Sequence, residues 1–236
     1  MNPETLVAVC AYHGDQHQVI HALGQYLHHE TPVVVFSPED APADVRYPGI
    51  EQVRIGRAGY IGEVSLARQR AHLEYLRARP ENFFLLHDSD SLCLSRQISP
   101  RLYGESEYTI WSNEITEPRP HKSPYPKLAF QPPYFLSRTV VEKMLEASHK
   151  VGVHPITPYI DWWMNAVSAE AELAHKSFTA LEHFSQSDTP CDTSDPWEIL
   201  RYRISYMGTA FVHPIKTVEQ LNLCIDARKF YERSQS

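Results

Sequence analysis

Little in this sequence departs from an ordinary globular chain, and each thing it lacks closes off a class. Its 236 residues hold four cysteines, Cys10, Cys93, Cys191 and Cys224, widely separated and with no C-x-x-C pair. That excludes a disulfide-stapled miniprotein and offers no zinc ribbon; reduced thiols are expected. Glycine is scarce, nine against 18 prolines, too little of both for a low-complexity chain, and the excess of proline implies stiff loops. The longest apolar runs, such as Val33-Val34-Val35-Phe36 and Phe83-Phe84-Leu85-Leu86, fall far short of the ~20 residues that span a bilayer. No charged-then-apolar leader opens the sequence, so the expectation is a cytoplasmic protein with no membrane span. A basic excess is also missing: 22 Lys and Arg against 29 Asp and Glu give a net charge of −7. This weakens broad attraction to nucleic acid, although a local basic groove remains compatible with it.

What is present suits one sizeable core, since domains commonly run to roughly 100–200 residues. Leu6 to Tyr12 is a continuous apolar run, the pattern of a strand buried on both faces of a parallel sheet. Helical spacing of Val19, Ile20, Leu23 and Leu27 and a second buried strand at Pro32–Phe36 complete a βαβ unit. A third strand is expected at Gln52–Ile55, then a long helix from Gly59 to Arg79 stopped by Pro80. Asn82 to Asp88 reads as a further buried strand that ends in Asp88-Ser89-Asp90. Strands at Glu107–Ser112 and Leu128–Leu136 flank a loop with Pro118, Pro120, Pro124 and Pro126, which suits the border of a site. Helices are expected at Arg138–Ser148, with Thr139 and Glu142 as a capping box, and at Pro158–His175, with Thr157 as cap. A last strand precedes His213. No repeat or linker divides the chain, so the reading is a single α/β domain, residues 1–95 forming a nucleotide-binding half and 96–236 a mixed half.

In open α/β sheets ligands bind outside the carboxyl ends of the strands. Two carboxylates one residue apart at such an end can both reach a hard divalent cation, Mg²⁺ or Mn²⁺, that shares its shell with a diphosphate. The same tripeptide also serves as a solvated turn or a helix cap. His213, in Phe211-Val212-His213-Pro214-Ile215-Lys216, offers an imidazole that Mn²⁺ accepts, or simply a surface corner. Lys216 could meet phosphate or solvate that turn. Asp161 sits in the first turn of its helix beside Trp162 and Trp163, either complementing the helix dipole or, partly desolvated, acting as a general base. Tyr12, His13 and Asp15 after the first strand, and Ser37 and Asp40 after the second, stand where a base and ribose would lie, and ordinary turn residues look the same. Arg68 and Arg70 could neutralise Asp88 or a phosphate, or solvate a helix face. Neither G-x-G-x-x-G nor a P-loop occurs.

Together these pieces resemble nucleotide-sugar glycosyltransferases of the GT-A fold, over most of residues 5–217. Phe130-Gln131-Pro132-Pro133-Tyr134-Phe135-Leu136-Ser137-Arg138 looks like the segment of the Fringe and β-galactosyltransferase-like families that runs from a glycine-rich turn into an aromatic-x-Leu-Ser-Arg strand end. Here Gln131-Pro132-Pro133 replaces the glycines and builds a stiffer wall, which implies a different acceptor. Of those families' acidic pair, Ile160-Asp161 keeps the second member, the base of inverting enzymes. By this resemblance Asp90 and His213 bind the metal directly, Asp88 and Ser89 reach ribose and metal-bound water, and the donor is a UDP-sugar. The acceptor stays open among a glycan, a protein, a metabolite and a modified DNA base. Three other readings stand beside it. A metal-dependent nucleotidyltransferase uses the same carboxylates. A non-catalytic nucleotide-sugar or carbohydrate-binding module would use Trp111, Trp162, Trp163 and Trp197 as recognition surfaces. A glycoside hydrolase fits less well, because Asp88 and Asp90 are too close to straddle a glycosidic bond without a remote acid.

Overall fold

Side-chain alternation along the first strand sets the layers of the molecule. The computed structural model describes residues 5–11, 31–41, 50–57, 62–93, 100–112, 132–152, 160–178, 186–188, 201–202, 204–205, 211–213 and 217–234; at Asp161 and His213 it describes the backbone. In β1 (Thr5–Cys10), Leu6, Ala8 and Cys10 enter one apolar cluster while Val7 and Val9 enter another on the opposite face, and all are buried. Such two-sided burial needs a layer on each face, which is why the strand reads as unbroken apolar sequence. β2 (Val33–Ser37) and β4 (Phe83–Asp88) divide in the same way, with Phe36 and Phe84 on the first face and Val35 and Leu85 on the second.

With β3 (Glu51–Arg54), β6 (Thr109–Ser112), β7 (Tyr134–Ser137) and β8 (Ala174–Ser177) these strands form a seven-stranded sheet of order β3-β2-β1-β4-β7-β6-β8. β1 to β4 are mutually parallel, β7 runs antiparallel to β4 and β6, and β8 is parallel to β6. The fold is therefore the mixed, Rossmann-like α/β class expected from the sequence. On the first face lie α1 (Gly62–Arg77), α3 (Arg138–Ser148) and α4 (Ile160–Glu170), through Leu66, Leu73, Val140, Met144, Trp163 and Val167. The second face is closed in part by Leu102 of the short α2 (Pro100–Glu105) and by Phe178.

A smaller sheet of order β5-β10-β9 joins β5 (Leu92–Cys93) to β10 (Phe211–His213) and β9 (Gln186–Asp188). Behind it α5 (Val218–Ser234) packs Leu221, Cys224 and Ala227 against Val212 and Ile204. A reciprocal capping box opens α5, Gln220 N–H donating to Thr217 Oγ1 at 3.2 Å and Thr217 N–H to Gln220 Oε1 at 3.1 Å.

Several sequence expectations are corrected. Ser137, not Thr139, caps α3, its hydroxyl accepting from Val140 N–H at 3.2 Å, so the last residue of β7 is also the first cap of the next helix. The helix expected to reach His175 stops at Glu170: Glu172 takes a φ of 53°, turning the chain so that Ala174–Ser177 pairs with β6. The helix expected before Pro32, the proline-rich loop and the Thr157 cap lie outside the described residues. Among the described residues no helix is long and apolar enough to cross a membrane.

Candidate functional site

The expected carboxylates stand at the central seam of the sheet. β1 and β4 run side by side in register, Cys10 opposite Asp88, and Ser89 N–H donates to Cys10 C=O at 3.1 Å. From β1 the strand order runs outward through β2 and β3 on one side and through β4 on the other. This is the topological switch point, the place in open α/β sheets where ligands bind beyond the strand ends. Asp88 and Asp90 are half-buried there, while Ser89 and Ser91 are buried between them and the core. The Asp88 carbonyl accepts from Ser91 N–H at 3.1 Å, closing a tight turn, and contacts His87 Nδ1 at 2.7 Å.

From that turn the chain enters β5, whose partner is β10. The antiparallel register sets Val212 opposite Leu92 and Phe211 opposite Cys93. His213 follows Val212 in β10, and Leu92 lies two residues after Asp90. The backbone pairing thus joins the strand that ends in His213 to the strand that follows Asp90. On its other side β10 runs parallel to β9, with His213 opposite Asp188, a residue that sequence reasoning did not single out. Strands of two or three residues show no periodicity from which this could have been read.

Arg68 organises the neighbouring strand ends. Its Nη2 donates to Ala11 C=O at 2.6 Å and, more weakly, to Phe36 C=O at 3.4 Å, tying the exit of β1 to the end of β2. The side chain is buried, and Gly56 makes room for it: a Cβ on Gly56 would stand 3.0 Å from the Arg68 Cβ, and the φ of 60° there favours glycine independently. Asp88 and Arg68 both act on the thiol of Cys10. Burial first, and then the Asp88 charge, push that thiol up to about 12 against the opposing pull of the guanidinium. Cys10 is therefore a neutral core group and not a nucleophile. Beside it at 3.9 Å, the His72 imidazole stacks on Phe36 and is held neutral, well below its usual range, by burial and by Arg68.

The other expected residues distribute as follows. Ser37 is buried at the end of β2, its hydroxyl accepting from Gln52 Nε2 at 2.9 Å, and Asp40 is exposed in the next turn. Tyr12, His13, Asp15 and Lys216 lie outside the described residues, and Asp161 occupies the first turn of α4. Arg70 is no solvated helix-face residue: its Nε donates to Ser148 C=O at 3.1 Å and its guanidinium lies over Trp163, stapling α1 to the end of α3. Trp111 and Trp163 are both core side chains, which removes them as the recognition surfaces a binding module would need.

The donor set fits a hard divalent cation in part. Two half-buried carboxylates are oxygen ligands of the right kind, and the buried hydroxyl of Ser91 beside them has no hydrogen-bond partner among the described residues. Among the described residues no three His, Cys, Asp or Glu side chains gather as a complete cluster, so a shell would need His213 or groups supplied by a ligand.

No family model matches the chain, and no curated protein matches it in sequence. Among solved structures it is similar to 4-diphosphocytidyl-2C-methyl-D-erythritol synthase, at 16% identity and a TM-score of 0.45, over 73% of this chain and 88% of that one.

Proposed function

We propose that the chain is a metal-dependent glycosyltransferase that moves a sugar from a nucleoside-diphosphate sugar, with UDP as the expected nucleotide, to an acceptor hydroxyl. One observation carries the reading: Asp88-Ser89-Asp90 leaves a central parallel strand at the switch point, and the β5–β10 pairing joins the strand that ends in His213 to the strand that follows Asp90. In this reading Asp90 and His213 hold Mn²⁺ or Mg²⁺, while Asp88 and Ser89 meet the ribose and the water around the ion. Once bound, the metal neutralises charge developing on the departing diphosphate. Tyr12, His13, Asp15, Ser37 and Asp40 line the base and ribose side, and Lys216 meets the phosphates. Arg68 contributes by fixing the strand ends from below and by its buried positive charge. Asp161, at the start of α4, takes the proton of the acceptor hydroxyl as that oxygen attacks C1 of the sugar.

Nucleotidyl transfer would use the same carboxylates, and product analysis separates the two. The primary test is thermal shift with UDP, other nucleoside diphosphates and UDP-sugars, with and without Mn²⁺, on the chain and on Asp90→Ala. Ligand bound at 100 times its Kd stabilises the fold by about 2.7 kcal/mol, readily seen in a melt. A Mn²⁺-dependent shift that Asp90→Ala removes supports the clamp; its absence with every nucleotide overturns the reading. Asp161→Ala should keep the shift and lose transfer.

A further inference from the structure

The C-terminal helix carries a second feature, apart from the D-x-D turn. α5 turns Leu221, Cys224, Ala227 and Tyr231 inward, a stripe at helical spacing. The adjoining face, one residue round, presents Asp226, Lys229, Phe230 and Arg233. Facing it are the helical residues 201–202 and 204–205, fixed to α5 by Ile204 in the shared apolar cluster and by Ser205 Oγ, 3.5 Å from Ala227 C=O. Arg201, Tyr202, Asp226, Lys229, Phe230 and Arg233 border an open groove of about 740 Å³.

Its chemistry differs from that of the chain as a whole. The protein carries a net −7, yet among the described residues this groove gathers three cations around one carboxylate, and Lys229 Nζ already lies 3.5 Å from Asp226 Oδ1. Two large rings lie among the charges, Tyr202 at 58% and Phe230 at 49% exposure. An exposed phenylalanine flanked by Lys229 and Arg233 is poorly suited to a plain acidic peptide, which would use the cations and leave the rings in water. A strand of unpaired nucleotides uses both, because phosphates meet the cations and bases stack on the rings.

We infer that the groove between α5 and the helical residues 201–202 and 204–205 binds single-stranded nucleic acid, through Arg201, Lys229 and Arg233 on phosphates and Tyr202 and Phe230 on bases. The inference is independent of the D-x-D chemistry, since it uses none of those residues and predicts binding without metal or sugar nucleotide.

Fluorescence anisotropy of a labelled oligothymidylate of about 16 nucleotides, titrated with the full chain in EDTA, tests it. Three phosphate contacts give a log–log salt slope near −2, so affinity falls about 20-fold between 50 and 200 mM salt. Tyr202→Ala with Phe230→Ala should weaken binding at least about fivefold and leave that slope unchanged. Arg201→Ala, Lys229→Ala and Arg233→Ala together should flatten the slope and abolish binding at 200 mM. Competition by polyglutamate on the unsubstituted chain requires no variant to fold, and it should fail at concentrations where unlabelled oligothymidylate displaces the label. Equal displacement by polyglutamate, unchanged affinity in the aromatic double variant, or no binding at 50 mM salt overturns the inference.

Discussion

The two sheets bring their residues to the candidate site by opposite means. The parallel seam of β1, β2 and β4 is built from strands of five and six residues, buried on both faces, and Arg68 locks two of its ends from beneath. The small sheet uses strands of two and three residues and rests on one apolar cluster with α5. Among the described residues the first is packed on both faces, the second on one. The proposed site takes its carboxylates from the end of the first and its histidine from the second.

The largest blow to the parallel seam is Phe36→Ala, which deletes a fully buried ring stacked on His72. It should cost about 3–5 kcal/mol in urea unfolding, as large-to-small core changes of aromatics do. Gly56→Ala comes next, because the new methyl would meet the Arg68 side chain in a backbone conformation that favours glycine. A loss of about 1–3 kcal/mol is expected, with nucleotide-induced thermal shifts reduced alongside. Val212→Ala strikes the small sheet. Its cost to global stability should be no more than about 1–2 kcal/mol, yet the metal-dependent part of nucleotide binding should fall more than in Gly56→Ala. Equal losses of binding in the two variants would dissolve the contrast between the sheets.

Acid tests the buried side of the main sheet without a substitution. His72 is neutral in the fold, with its pKa pushed well below 6.5 by burial, and burial likewise lowers His175 to about 4. Their contribution is complete above about pH 6.5; below it the unfolded chain takes up protons that the fold refuses. Stability should therefore decline on acidification from pH 6.5 toward 4, by up to about 1.4 kcal/mol per pH unit for each histidine. Urea midpoints between pH 8 and 5 check this, and a flat profile would place a compensating charge beside His72.

How far the sequence was legible follows the same division. Two-sided burial writes β1, β2 and β4 as unbroken apolar runs, and the D-x-D at the end of β4 can be read with them. Because α3 follows β7 without a loop, Ser137 both closes the strand and caps the helix, and the capping-box spacing at Thr139 pointed two residues too far. α5 went unread because its inward stripe contains Cys224, Ala227 and Tyr231, a weak apolar signal, although Thr217 and Gln220 did carry a capping box. The buried role of Arg68 was hidden because a cation on a helix normally faces water, and only the close approach of Gly56 makes space for it inside.

The pairing of β5 with β10 also sets an order of events in synthesis. Cys93 leaves the ribosome long before Phe211, its partner in the strand pair, has been made. At about 5–20 residues per second the histidine strand is made about 6–24 s after the carboxylate pair, when β1 to β4 of the parallel seam have already been synthesised. The small sheet, by contrast, needs a strand of three residues from near the end of the chain, and the helix that packs behind it is made later still.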